Sequence, residues 1–178
     1  MFLVALVTGH AQTVNFNNNI LTSPPDRLVR FGGTLAPVVG QNYTAVLLYG
    51  TSDSSLTAHT STALFRVPTT ASPGTWSGGT RTLTGVPNTP GSVVRLQVAV
   101  FDNSQYPNFD IARAAGAAWA RPPFDYTIPS QPPTPGADSM VNFIGGVLEP
   151  LPPIPEPSVA GLLAIGVVAL MVNRQRRA

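Results

Sequence analysis

The sequence predicts a mainly β protein, a small antiparallel β-sandwich with one short helix and a separate hydrophobic helix near the carboxyl end. Three observations favour this class. Gly (16) and Pro (19) are abundant, which favours turns and short strands over long helices. Only 10% of the residues are charged, against about 25% in typical soluble domains. Short apolar segments also recur between turn residues, as the strands of a sandwich do.

Two segments give the clearest strand pattern. In residues 42–50 (NYTAVLLYG) and 92–101 (SVVRLQVAVF), successive side chains alternate between two faces. The predicted inner faces are Tyr43, Ala45, Leu47 and Tyr49 in the first segment and Val94, Leu96, Val98 and Val100 in the second. The opposite faces carry Val46 and Leu48 in the first segment, and Arg95 and Gln97, predicted to point outward, in the second.

Weaker patterns predict further strands and the turns between them. The strand candidates are residues 13–17, 63–67, 81–84, 124–128 and 140–148. The predicted turns are Gly32-Gly33, Pro73-Gly74, Gly78-Gly79, residues 88–91 and residues 102–104.

One helix and one linker interrupt the strands. Residues 108–119 (NFDIARAAGAAW) are alanine-rich, with Asn108 as the N-cap and Gly116 ending the regular part, which predicts two or three helical turns. Residues 129–137 (PSQPPTPGA) predict a stiff, extended linker. It leads either to a last strand at 140–148 or directly to a stalk. The domain is therefore predicted at 12–128 and the linker region at 129–154.

The amino-terminal residues 1–11 read as a secretory signal peptide. An apolar run at residues 2–7 is followed by small residues, with cleavage predicted after Ala11. No basic residue precedes the apolar run. Either the basic part of the signal precedes Met1, or residues 2–7 form the first strand of the domain.

The residues from 155 onward predict a membrane-anchoring tail. Pro155, Glu156 and Pro157 precede an apolar run at residues 159–172, and Arg174, Arg176 and Arg177 follow it. A helix over the run spans about 20 to 24 Å, less than the roughly 30 Å hydrocarbon layer. The arginines would form a cytoplasmic stop, which leaves the preceding domain outside. The alternative is a carboxyl-terminal helix buried in the domain.

Pro-Glu-Pro, a short apolar helix containing Gly161 and Gly166, and a closing Arg cluster together resemble the PEP-CTERM sorting signal of Gram-negative bacteria. The resemblance covers residues 155–178. It implies that Pro155-Glu156-Pro157 is recognised by an exosortase, a membrane-embedded processing enzyme, and that the arginines hold the chain at the membrane. Residues 42–50, 74–85 and 96–102 also resemble secreted bacterial proteins that carry this tail, which implies export and no particular activity.

Charge and cysteine content exclude several functions. The net charge of +2 comes from the tail, because residues 12–154 hold seven Arg and seven acidic residues. We therefore expect no nucleic-acid partner, since such proteins need a basic face. Cysteine is absent, which removes disulfides, thiol catalysis and zinc–thiolate sites.

Few residues suggest catalysis, so we expect neither an enzyme nor a cofactor. His59 is the one histidine beyond the predicted signal peptide, and a lone histidine makes no zinc site. Asp102 and Asp110 bracket a loop as glycosidase carboxylates might, but loop aspartates more often accept hydrogen bonds from turn amides. Asp53, Asp102 and Asp138 lack the dense spacing of a calcium loop, so no metal is expected.

The two tryptophans are the candidate sugar-binding residues. Trp76 lies in a Gly-rich segment and Trp119 follows the predicted helix. An exposed ring of either residue could stack on a sugar, as in a surface carbohydrate-binding module that binds extracellular polysaccharide. The favoured alternative is that both rings fill the ends of the core. The sequence as a whole predicts an exported structural or adhesive protein, held at the inner membrane before processing and then placed on the cell surface or in the extracellular matrix.

Overall fold

The described part of the chain is mainly β, with a large antiparallel sheet and one short helix. A computed structural model describes residues 12–18, 26–32, 36–70, 72–133 and 140–153. The predicted signal peptide with Ala11 and the predicted tail at 155–178 lie outside these residues. The mainly β class that the sequence predicts is confirmed.

The described part of the chain contains eleven strands, one α-helix and one 3-10 turn. They are β1 (Thr13–Asn17), β2 (Val29–Arg30), β3 (Tyr43–Gly50), a 3-10 turn (Asp53–Ser55), β4 (Thr57–Ala58), β5 (Ala63–Leu64), β6 (Ser77–Thr82), β7 (Val93–Asp102), α1 (Phe109–Ala114), β8 (Ala118–Ala120), β9 (Phe124–Thr127), β10 (Gly146–Val147) and β11 (Glu149–Pro150). The two clearest strand predictions, residues 42–50 and 92–101, correspond to β3 and β7.

The large sheet is built around the antiparallel pair β3 and β7, which are in register from Tyr43 opposite Asp102 to Gly50 opposite Arg95. On the outer side of β3 lie β4 and β5, one after the other. On the outer side of β7 lie β9 and β8, and β11 continues the sheet beyond β8. All seven strands are antiparallel to their neighbours. Because other strands pair with the outer edge of β3 and with the outer edge of β7, these two strands lie at the centre of the sheet.

Both faces of the central pair are buried. The predicted inner side chains of β3 and β7 lie together in the larger hydrophobic cluster, with Tyr43 partly buried at its edge. Val46, Leu48, Ala99 and Phe101 belong to a second, smaller cluster on the opposite face. Gln97 shares that second face but is buried rather than pointing into solvent, because its Nε2 donates to the carbonyl of Arg121 at 2.8 Å. Alternation therefore predicted the faces correctly and the exposure of Gln97 wrongly.

Two small sheets cover the larger cluster. β1 pairs antiparallel with β6, and β2 pairs in parallel with β10. β6 carries an extra residue opposite Asn15–Asn17, where Gly79 adopts a φ of +70°. Such a bulge needs a residue free of Cβ strain. The turn predicted at Gly78-Gly79 is therefore wrong: these glycines lie inside a strand that begins at Ser77, before the residues 81–84 predicted for it.

Trp76 lies at the centre of the larger cluster and is fully buried. Its ring centroid lies 5.5 Å from that of Phe16, 5.2 Å from that of Phe65 and 5.8 Å from that of Phe143. These three rings come from β1, from the residue after β5 and from the segment before β10. The aromatic cluster therefore joins segments that are far apart in the sequence.

Residues 140–151 belong to the folded body, so the body extends beyond the domain boundary predicted at residue 128. Met140, Phe143 and Leu148 are buried in the larger cluster. Arg121 donates to the carbonyls of Ile144 and Val147, which fixes this segment beside β8. The strand predicted over 140–148 is reduced to β10, because most of the segment follows a looped path. Residues 129–133 of the predicted linker are described, and the next described residue, Met140, is buried in the larger cluster.

The helix prediction is confirmed at its N-cap and at Gly116, where the regular part ends. Asn108 caps α1, with its Oδ1 accepting from the Ile111 N–H at 2.9 Å. Phe109 and Ala112 face the smaller cluster. Gly116 has a φ of +69° and ends the helical path. The residues after Gly116 enter β8, a strand that the sequence did not predict and that contains Trp119.

Candidate functional site: a cavity beside His59

A cavity of about 340 Å³ lies over the second face of the large sheet. The buried side chains of Val46 on β3, Phe101 on β7 and Phe109 on α1 line its inner part. The loop after β4 and the loop before α1 form its rim, which includes His59, Thr60, Thr62, Pro107, Asn108 and Asp110. The cavity thus lies where the short helix leaves part of the sheet uncovered.

His59 is fixed at the rim by its own backbone and by its ring. Its N–H donates to the carbonyl of Leu47 at 2.8 Å, which continues the pairing of β4 with β3. Its Nδ1 accepts a hydrogen bond from the Ser61 N–H at 3.0 Å. A neutral imidazole that accepts at Nδ1 carries its proton on Nε2. His59 is partly buried, and its ring packs against Tyr49, with ring centroids 6.1 Å apart, on the face of the sheet that carries the larger cluster.

The opposite rim comes from the start of α1. The side-chain Oδ1 of Asn108 accepts the N-cap hydrogen bond, so the side-chain amide nitrogen of Asn108 is the group that can donate to a ligand. Asp110 is exposed in the first turn of α1 and also lines the cavity. Thr60 and Thr62 are exposed on the histidine side and supply hydroxyl groups. The rim therefore contains both hydrogen-bond donors and acceptors, with one carboxylate.

Asp102 does not line this cavity together with Asp110. Its carboxylate accepts from the Ser104 hydroxyl at 2.6 Å, from the Ser104 N–H at 2.9 Å and from the Gln105 amide at 2.8 Å. The hydrogen bond from the Ser104 hydroxyl is the main cause that lowers the pKa of Asp102 below its ordinary value. The residue therefore stabilises a turn, as the sequence favoured.

The structure corrects one of the two candidate sugar-binding tryptophans. Trp76 is fully buried, so its ring cannot stack on a sugar, and it fills the core as the alternative prediction held. Trp119 is partly exposed and packs edge-on against Phe31, with ring centroids 5.0 Å apart. Trp119 also packs against the larger cluster. Part of the Trp119 ring remains accessible, on an element that does not line the cavity.

Other sequence predictions concern residues that the structure does not describe. Pro155, Glu156, Pro157, Arg174, Arg176 and Arg177 all lie beyond residue 153, and Asp138 lies in the undescribed stretch 134–139. Among the residues that are described, no helix is long and apolar enough to cross a membrane. Over the same residues, no three His, Asp or Glu side chains come together in a way that could hold a metal ion.

Comparison of the chain with protein-family models, with curated proteins and with solved structures gives no match. The described fold is that of a small, mainly β protein with a recess over the second face of its large sheet. Sequence reasoning missed that recess, although it contained a signal for it. Val46 and Leu48 make the second face of β3 apolar. Another element therefore had to bury this face, and the predicted short helix was a candidate for that role.

Proposed function

We propose that the chain is an exported structural or adhesive protein of the cell envelope or extracellular matrix, sorted by a PEP-CTERM signal that an exosortase processes. The proposed architecture is a β-sandwich in which the β1–β6 and β2–β10 sheets form the second layer over the larger cluster. The proposed partners are the processing enzyme and, before processing, the inner membrane. The protein acts on no substrate in this proposal.

The last contacts of the described body lie just before the Pro155-Glu156-Pro157 motif in the sequence, and they carry the proposal. The N–H of Leu151 donates to the carbonyl of Ala118 at 2.8 Å, and the carbonyl of Pro152 accepts from Arg113 at 3.4 Å. Pro155 follows three residues later in the sequence. Cleavage at or after the Pro155-Glu156-Pro157 motif would therefore remove no strand and no buried side chain of the described body. A removable sorting signal needs this arrangement.

The distribution of charge along the sequence also separates the body from the proposed tail. The seven Arg and seven acidic residues of positions 12–154 balance, whereas Arg174, Arg176 and Arg177 lie together after the apolar run. Arginines at one end of an apolar segment stay on the cytoplasmic side of a membrane. A neutral body would experience no comparable retention and would lie on the outer side.

The test is expression in the native host with the mass and location of the product measured. The wild-type chain is expected to lose its tail and to leave the inner membrane. A variant with Pro155→Ala, Glu156→Ala and Pro157→Ala is expected to keep the tail and remain in the membrane fraction. The matched control, Pro152→Ala with Pro153→Ala, changes prolines outside the motif and is expected to be processed like wild type. An intact tail in both wild type and triple variant, or its loss from both, would overturn the proposal.

A further inference from the structure

We propose that the cavity beside His59 is a binding site for one neutral sugar unit, either free or within a polysaccharide chain. The site lies between the β4–β5 loop and the start of α1, away from both tryptophans that the sequence put forward. The inference does not depend on the tail, because the cavity is formed entirely by residues 46–110 of the folded body.

The size and inner surface of the cavity indicate the kind of ligand. Its volume of about 340 Å³ is at the lower end of the roughly 300 to 1,000 Å³ range of small-molecule sites. Its inner part is apolar, formed by Val46, Phe101 and Phe109. A hydrated ion gains nothing from such a surface, because burying a charge against apolar groups is costly. A sugar ring fits it, since one face of the ring presents C–H groups and the edge presents hydroxyls.

The polar rim complements hydroxyl groups. The Asn108 amide nitrogen can donate, the Asp110 carboxylate can accept, and the Thr60 and Thr62 hydroxyls can do both. A sugar hydroxyl donates and accepts at the same time, so it can bond to two neighbouring groups of this rim. The spread of polar groups around an apolar base is the usual arrangement of a site that orients a small ligand.

Charge excludes anionic ligands from the proposal. No Arg lines the cavity and the chain contains no Lys. Phosphate or carboxylate groups would therefore meet Asp110 without a cation to pair with, although such groups are normally bound by charge-assisted hydrogen bonds. The neutral sugar is the ligand class that uses the donors, the acceptors and the apolar base together.

The test uses the full chain with uniform ¹⁵N labelling in a sugar-free detergent. The backbone amide signals of Thr60, Thr62 and Asp110, which line the cavity, are followed by NMR during titration with glucose, galactose, mannose and their neutral disaccharides to millimolar concentrations, a usual range for weak single-unit binding. We expect a saturable shift of these signals with at least one sugar. Sodium phosphate is expected to cause no saturable shift.

Two cavity variants and two controls make the site specific. Asp110→Asn replaces the charged acceptor with a weaker, neutral one, and Thr62→Val removes a hydroxyl, so each is expected to weaken binding about tenfold. Asp53→Asn changes an exposed carboxylate that bonds to Arg95 outside the cavity and is expected to leave binding unchanged. Trp119→Ala tests stacking at the other candidate site and is also expected to leave binding unchanged. Thermal unfolding of each variant verifies that it is folded.

Three outcomes would overturn the proposal. The first is the absence of a saturable shift of the cavity amide signals with every sugar in the panel. The second is a saturable shift with phosphate while the sugars cause none. The third is binding that Trp119→Ala abolishes and Asp110→Asn leaves intact. None of these outcomes affects tail processing, so the sorting proposal is tested separately.

Discussion

The two faces of the β3–β7 pair carry similar aliphatic side chains but have very different covers. Among the described residues, twenty buried side chains form the cluster on one face and eight form the cluster on the other. The first face is sealed by two small sheets and the rings around Trp76. The second is covered by α1 and two loops, which leave a cavity of about 340 Å³. The covering elements, rather than the strands, therefore decide which face is rigid core and which is open to a ligand.

The largest expected effect is on the sealed face. Trp76→Ala removes the ring that contacts Phe16, Phe65 and Phe143, so we expect the free energy of unfolding to fall by about 3 to 5 kcal/mol. Urea unfolding followed by circular dichroism measures it. Trp76→Phe keeps an aromatic ring and removes Nε1, which has no hydrogen-bond partner within the described residues. It should cost clearly less, and equal losses for both variants would contradict the packing explanation.

A smaller loss is expected on the open face. Phe109 borders the cavity, so Phe109→Ala enlarges an existing space rather than opening a new one inside dense packing. We expect a loss of less than about 3 kcal/mol, below the usual range for buried Phe. Ile111→Ala on the same helix is the control, because Ile111 is 48% exposed and surface changes usually stay within about 0.5 kcal/mol. A loss at Phe109 as large as that at Trp76 would show that the two covers are equally tight.

The link between the layers gives a third prediction. The Tyr126 hydroxyl on β9 donates to the carbonyl of Thr13 on β1 at 2.8 Å. Tyr126→Phe should lower the free energy of unfolding by about 1 kcal/mol, the usual net value of one hydrogen bond. The same urea titration measures it, and a loss no greater than the scatter between repeats would mean that β1 does not depend on this bond.

Tyr126 also predicts a dependence on alkaline pH. Burial raises the pKa of Tyr126 above its ordinary value of 10.0. The folded state therefore holds the phenol proton more tightly than the unfolded state, so stability is present below the ordinary value and is lost as the pH rises through the raised pKa. Stability curves of wild type and Tyr126→Phe should converge at high pH, and curves that stay parallel would contradict the buried phenol.

The smallest effect is expected at the loop that leads from β7 to the open face. Hydrogen bonding from the Ser104 hydroxyl lowers the pKa of Asp102 below its ordinary value of 3.8. Its contribution to stability is present above that value and is lost as the pH falls through the lowered pKa. Asp102→Asn should change stability at neutral pH by about 0.5 kcal/mol or less, because the site is near the surface. Its difference from wild type should vanish in strong acid, and a difference that persists there would point to another cause.

The sequence predicted the central strands well because their pattern is local. Alternation in residues 42–50 and 92–101 determines which side chains share a face, and β3 and β7 follow it. The end of the helix was also predictable, because Gly116 adopts a φ of +69° there. The strand that follows was not predicted, since alanines at 117 and 118 suit a helix, whereas pairing with β7 draws Ala118–Ala120 into a strand. The path of residues 140–151 depends on contacts with Arg121 and β2, and no local pattern encodes such partners. The tail motif, in contrast, is readable only from sequence.

The packing of the aromatic cluster is harder to predict from the sequence than the segments that contribute its rings. Phe16, Trp76 and Phe143 lie in unremarkable local contexts, and only their meeting in the fold explains why Trp76 is buried. The cavity has the same origin, because His59 and Asp110 lie on different loops. Residue type suggested each as a candidate, but their common location required the fold.

The meeting of Phe16 and Phe143 at Trp76 has a consequence for biosynthesis. A chain that crosses a membrane with its amino end first delivers Phe16 early and Phe143 near the end of the body. The bond between Thr13 and Tyr126, 113 positions apart, is subject to the same delay. Folds that depend on such distant pairs form slowly. If the chain is exported as proposed, the indole at position 76 stays unshielded until almost the whole body has emerged, and chaperones outside the membrane would have this exposed ring to bind during translocation.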